Sequence, residues 1–92
     1  MPQPDSSDKP FLYPNPASGQ VNIALHFQAP EIISVHIYDV GGRLVSTPLQ
    51  GYALPAGRQI VTVDIQSLSD AVYIIDVSTT EKRHTARLIV RH

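Results

Sequence analysis

Ile33, Val35 and Ile37 alternate with Ser34, His36 and Tyr38, the period of two that turns one face of a strand to a core and the other to solvent. The β-branched residues suit a pleated surface because two heavy atoms on Cβ restrict χ1. Gly41-Gly42 follows, a pair tolerant of the positive φ that a type I′ or II′ hairpin requires. Leu44-Val45 then opens the return strand. One turn length puts Leu44 on the Ile37 face and a bulge puts Val45 there; either way one apolar side chain reaches the core.

The same period runs through Val21, Ile23, Leu25 and Phe27, and again through Val61, Val63 and Ile65. Residues 72–77 are nearly all apolar, as a strand covered on both faces would be. In the last strand Ala86, Leu88 and Val90 alternate with Arg87, Ile89 and Arg91. Phe11-Leu12-Tyr13 predicts a brief first strand, and the two prolines of Pro14-Asn15-Pro16-Ala17-Ser18-Gly19 predict a turn after it. Residues 48–57 hold two prolines and two glycines and read as a loop, with Tyr52 and Leu54 packing beneath it. Ser67-Leu68-Ser69-Asp70 and Thr79-Thr80-Glu81-Lys82 are further turns.

The reading is all-β: about seven short strands with turn signals roughly every eight to twelve residues, an antiparallel β-sandwich. Its predicted inward set is Val21, Ile23, Leu25, Phe27, Ile33, Val35, Ile37, Val61, Val63, Ile65, Leu68, Tyr73, Ile75, Val77, Leu88 and Val90.

Ninety-two residues make one domain, small enough to bury only roughly 60–65% of its unfolded surface. The absence of cysteine removes disulfides, thiol catalysis and thiolate metal sites. Residues 1–10 are rich in Pro, Ser and Asp, have no apolar stretch of the kind a signal peptide carries, and read as a flexible linker. The folded domain is therefore placed at 11–92, and Met1 reads as a start fitted to a piece of a longer protein.

Charge is uneven although the total is −1. Residues 1–80 carry three cations against seven acids, whereas 81–92 carry Lys82, Arg83, Arg87 and Arg91 against Glu81 alone. Such an end either meets an anionic partner or is a solvated hairpin with snorkelling arginines.

Catalysis needs convergent groups, and the spacing of Asp39, Asp64, Asp70 and Asp76 pairs none of them, although Asp64 and Asp76 would oppose each other if their strands were neighbours. His26 and His36 fall on outward positions with no third metal ligand nearby. Gly41-Gly42 opens no helix that would cradle a phosphate, and basic residues are not interleaved with exposed aromatics as in nucleic-acid binders. No catalytic, metal, cofactor or nucleic-acid site is expected.

Four stretches in order carry a resemblance: Tyr13-Pro14-Asn15-Pro16-Ala17-Ser18-Gly19; Ile37-Tyr38-Asp39-Val40-Gly41-Gly42-Arg43-Leu44-Val45; Leu68 with Ala71-Val72-Tyr73; and Arg87-Leu88-Ile89-Val90-Arg91. Over residues 11–92 the chain resembles the C-terminal sorting domains of the type IX (Por) secretion system. The resemblance implies an immunoglobulin-like sandwich that ends a larger exported protein. Its cargo crosses the periplasm, passes an outer-membrane translocon, and reaches the cell surface or the medium. A shuttle β-barrel protein and a sortase-like surface protease act afterwards, and no cofactor is implied.

The motif residues so marked are Pro14, Asn15, Pro16, Asp39, Gly41, Gly42, Arg43 and Tyr73, with Lys82, Arg83, Arg87 and Arg91 as the partner-binding set. Two departures stand out. The family usually has Gly where Ala71 stands, which raises the question of a positive φ at Ala71 or Asp70, and its terminal strand more often has Lys than Arg. The alternative is a carbohydrate-binding or adhesive sandwich, disfavoured because the aromatic row of a sugar platform has only Tyr38 and Tyr52 as candidates and they lie on separate elements. A long exposed edge strand would also allow self-association.

Overall fold

The computed structural model describes residues 10–92. Seven strands follow one another: β1 (Phe11–Ser18), β2 (Gln20–Phe27), β3 (Glu31–Asp39), β4 (Leu44–Leu54), β5 (Gly57–Asp64), β6 (Ala71–Ser78) and β7 (Arg83–Val90). They form two packed antiparallel sheets, β4-β3-β6-β7 and β1-β2-β5, so the expected seven-stranded sandwich is the fold. The linker expected over 1–10 lies, but for the buried Pro10, outside the described residues.

The core follows from the alternation. Of the expected inward set, fourteen residues are buried, while Phe27 and Leu68 pack against the core half-covered. Ile23, Ile33, Ile37, Ile75 and Leu88 are fully enclosed. Leu12, Ala17 and Leu54 complete the apolar interior.

β1 differs from its expected form. The strand continues through both prolines to Ser18, and the chain reverses at Gly19, whose φ is 85°. Phe11 to Tyr13 pair with β2, but Ala17 pairs with Val90 of β7 in parallel, so one strand serves both sheets. Proline lacks the N–H that a ladder needs, and a side chain supplies the missing bonds, as described below. The peptide bonds before Pro14 and Pro16 are both cis.

The stretch expected to be a loop over 48–57 is instead largely strand, since β4 runs to Leu54. It does so irregularly: three register shifts against β3 absorb extra residues, with Gly51 at positive φ and its N–H donating to Ser34 Oγ at 3.2 Å. Bulges let a strand carry Pro and Gly that a regular ladder would reject. Leu54 is buried as expected, whereas Tyr52 is about half exposed.

The β3–β4 hairpin also departs from the two-residue expectation. Gly42 N–H donates to Asp39 O at 3.0 Å, Asp39 N–H donates to Arg43 O at 2.9 Å, and only Gly42 has positive φ. This is a three-residue loop ending in a left-handed glycine. The resulting register pairs Leu44 with Tyr38 on the outer face. Neither Leu44 nor Val45 enters the core; both are exposed at this bulged edge.

Candidate functional site

Three of the motif residues, Asp39, Tyr73 and Asn15, share one rung of the four-stranded sheet. Asp39 pairs with Tyr73, and Tyr73 pairs with Leu88. Beyond Leu88 the row is completed by a side chain. Asn15 Nδ2 donates to Arg87 O at 3.0 Å, and Ile89 N–H donates to Asn15 Oδ1 at 2.9 Å. These are the two bonds a parallel strand residue opposite Leu88 would make with its own backbone. Two residues on, Arg91 N–H donates to Ala17 O at 2.9 Å, so the ladder passes from a side-chain amide to true backbone without losing register.

Each member of the rung closes a local structure. Asp39 Oδ1 accepts from Gly41 N–H and Arg43 N–H, both at 2.9 Å, and its Oδ2 lies 3.5 Å from Arg43 Nε. One carboxylate thus organises the hairpin loop, as Asp does in such turns. Tyr73 buries its ring and its hydroxyl donates to Ser69 O at 2.8 Å, fixing the turn before β6. Ala71 starts β6 opposite Val90, and neither Asp70 nor Ala71 has positive φ, so the turn needs no glycine.

His92 closes the same end. Its N–H donates to Asp70 Oδ1 at 3.0 Å, and its Nε2 lies 2.7 Å from Leu68 O. A carbonyl only accepts, so the proton is on Nε2, and a neutral ring then accepts from Ser18 Oγ through Nδ1 at 3.4 Å.

The basic residues are set out along β7. Alternation sends Arg83, Thr85 and Arg87 outward, and the paired Arg91 continues that face beyond Ile89. At about 3.3 Å per residue, successive arginines stand about 13 Å apart. They are not equivalent. Arg83 Nε donates to Asp76 Oδ2 at 2.7 Å, whereas Arg87 and Arg91 are exposed. Lys82 lies in the β6–β7 turn, where its carbonyl accepts from Thr79 N–H at 2.8 Å and its own N–H donates to Thr79 Oγ1 at 3.0 Å.

Beside the arginines run half-buried apolar residues. Arg87 is in register with Ile74 and, beyond it, Tyr38, and Ile89 with Val72. The outer face of β3-β6-β7 is therefore a basic row bordering an apolar strip.

One expectation fails at this surface. Asp76 is not an outward, solvated acid: it is only 3% exposed, because it sits mid-sheet between His36 and Thr85 with Arg83 over it. It also cannot face Asp64, since β5 and β6 belong to different sheets. Asp76 Oδ1 and His36 Nδ1, on directly opposed residues, find no hydrogen-bond partner among the described residues. Tyr38 and Tyr52 lie on separate strands and form no platform, as the sequence separated them. Tyr52 is the register partner of inward-facing Ile33, while Tyr38 lies on the outer face beside Ile74.

At the opposite end of the sandwich a cleft of about 310 Å³ is lined by His26, Glu31, Thr79, Glu81, Lys82 and His84 among others. No three His, Asp or Glu among the described residues are grouped to hold a metal ion.

The family model described as "Secretion system C-terminal sorting domain" matches residues 11–91. No curated protein and no solved structure matches the chain.

Proposed function

This chain belongs to the family of C-terminal sorting domains, the sorting signals of the type IX secretion system, and on that premise we propose that the machinery reads the outer face of β3-β6-β7. The family assignment carries export across the outer membrane to the cell surface or medium, with the domain ending a cargo protein. The proposal adds the surface. Arg87 and Arg91 stand on one side of a strand fixed along both flanks, and the strip of Tyr38, Val72, Ile74 and Ile89 lies next to them.

Fixed positive charge accelerates encounter with an acidic partner and sets orientation. The apolar strip then offers the desolvated contact that holds a complex. The partners that fit are the translocon and the shuttle β-barrel, met from the periplasmic side, with a sortase-like protease acting afterwards on the chain before Phe11. The domain itself acts as a ligand, not as an enzyme. Arg83 and Lys82 contribute charge to the same region, but Arg83 is committed to Asp76.

The observation that carries this reading is the parity of β7, which sends its arginines to one face. A reporter fused ahead of the domain tests it. Arg87→Glu with Arg91→Glu should leave the purified domain folded and hold the reporter in the periplasm. Full export of the folded double variant overturns the electrostatic account and leaves shape as the signal.

A further inference from the structure

The hydrogen-bonded strand order ends in β4 on one side and β5 on the other, so these two strands carry backbone edges free along their whole length, whereas β1 and β7 cover part of each other at the seam. They are built differently. β4 has three register shifts together with Pro48 and Gly51, the irregularity that discourages another strand from adding. β5 pairs with β2 over eight consecutive residues, Gln20–Asp64 through Phe27–Gly57, without a shift, and contains no proline. Its free edge is a straight template.

The side chains on that template are self-complementary. Arg58, Ile60, Thr62 and Asp64 point outward and are exposed, Ile60 at 62%. The two charges have opposite sign and stand three residues either side of Val61. Neither meets an opposite charge within the sheet, where Arg58 lies opposite His26 and Asp64 opposite Gln20; Asp64 Oδ1 accepts from Gln66 N–H at 2.9 Å. In-register parallel pairing of two β5 strands would set like charges against each other, which is destabilising. Antiparallel pairing about a two-fold axis at Val61 sets Arg58 against the partner's Asp64 twice, and Ile60 against the partner's Thr62 twice.

We propose that β5 is a self-pairing edge: two copies join antiparallel through it, and their three-stranded sheets fuse into one of six strands. The interface is isologous, as a two-fold requires. Its contact is mainly backbone hydrogen bonding, with the two Arg–Asp pairs setting direction and register. It uses the sheet opposite to the arginine row and leaves that row open.

Sedimentation of the whole chain over a concentration series tests the pairing. The wild type should shift from one chain toward two. Arg58→Glu turns both attractive pairs repulsive and should weaken association roughly tenfold or more. Asp64→Lys should do likewise, and mixing the two variants should restore association, because each then meets an opposite charge at both ends. Amide exchange on the wild type gives a readout that needs no variant: protection along β5 should rise with concentration while that along β4 does not. A chain that stays single at every concentration overturns the proposal. So does a dimer indifferent to Arg58→Glu, or one whose concentration-dependent protection lies outside β5.

Discussion

The side-chain amide of Asn15 stands opposite Leu88 as a peptide would, donating to the carbonyl before it and accepting from the N–H after it. Two prolines flank Asn15 and can offer no donor themselves. Net hydrogen bonds of this kind contribute about 0.5–1.5 kcal/mol each. Asn15→Ala should therefore cost about 1–3 kcal/mol in urea unfolding. Asn15→Asp keeps the acceptor for Ile89 N–H but sets a carboxylate oxygen against Arg87 O, so it should not restore wild-type stability. An unchanged midpoint for Asn15→Ala would remove the amide from any role in holding β7.

A glycine pair gives a sharper contrast. Gly42 sits at φ 90°, where an added Cβ meets nothing but the backbone is unfavourable for an L-residue. Gly41 has no such φ, and a Cβ there would touch Asp39 Oδ1 at 3.4 Å. Gly42→Ala should cost about 1 kcal/mol or more, and Gly41→Ala distinctly less. Equal shifts in melting temperature would contradict the loop geometry.

Ile37 is fully buried between the sheets. Truncating it to Ala should cost about 2–5 kcal/mol, a large share of what so small a domain has. A melting curve that does not move would place Ile37 outside the core.

Arg83 and Arg87 look alike in sequence and should behave differently. Arg83→Ala strands the carboxylate of Asp76, a buried group, and should destabilise by about 1–3 kcal/mol, whereas Arg87→Ala should leave stability within about 0.5 kcal/mol. A melt of each purified variant decides this, and reporter export measured alongside separates folding from recognition.

Five strands were legible over most of their length: β2, β3, β5 and β7 show an apolar period of two, and β6 a continuous apolar run. β1 and β4 were not. In β1 a side-chain amide substitutes for a peptide, which no local pattern announces. In β4 the bulges are dictated by the partner strand, and they let Pro48 and Gly51 sit inside a strand. The burial of Asp76 was hidden for a related reason, since alternation tells which way a side chain points and not what covers it. The motif residues were visible as separate stretches, but that Asp39, Tyr73, Leu88 and Asn15 share one rung depends on register.

Removing residues after Thr85 should abolish both fold and export. Leu88 and Val90, both buried, go with them, as does the neighbour that Asn15 and Ala17 bind. A truncated chain that still melts cooperatively would show that β7 is dispensable to the sandwich.

β7 lies between β6, its neighbour in sequence, and β1, whose contacts with it join residues 72 and 74 positions apart. Such distant contacts form late, because the chain must surrender most of its freedom before they can be made. The first strand and the last therefore work as a clasp across the whole domain. The arginines exist in any unfolded copy, but their line along one rigid face exists only behind the closed clasp. A receptor that requires this line reads the completion of the domain as well as its identity, and passes over fragments that carry the same residues.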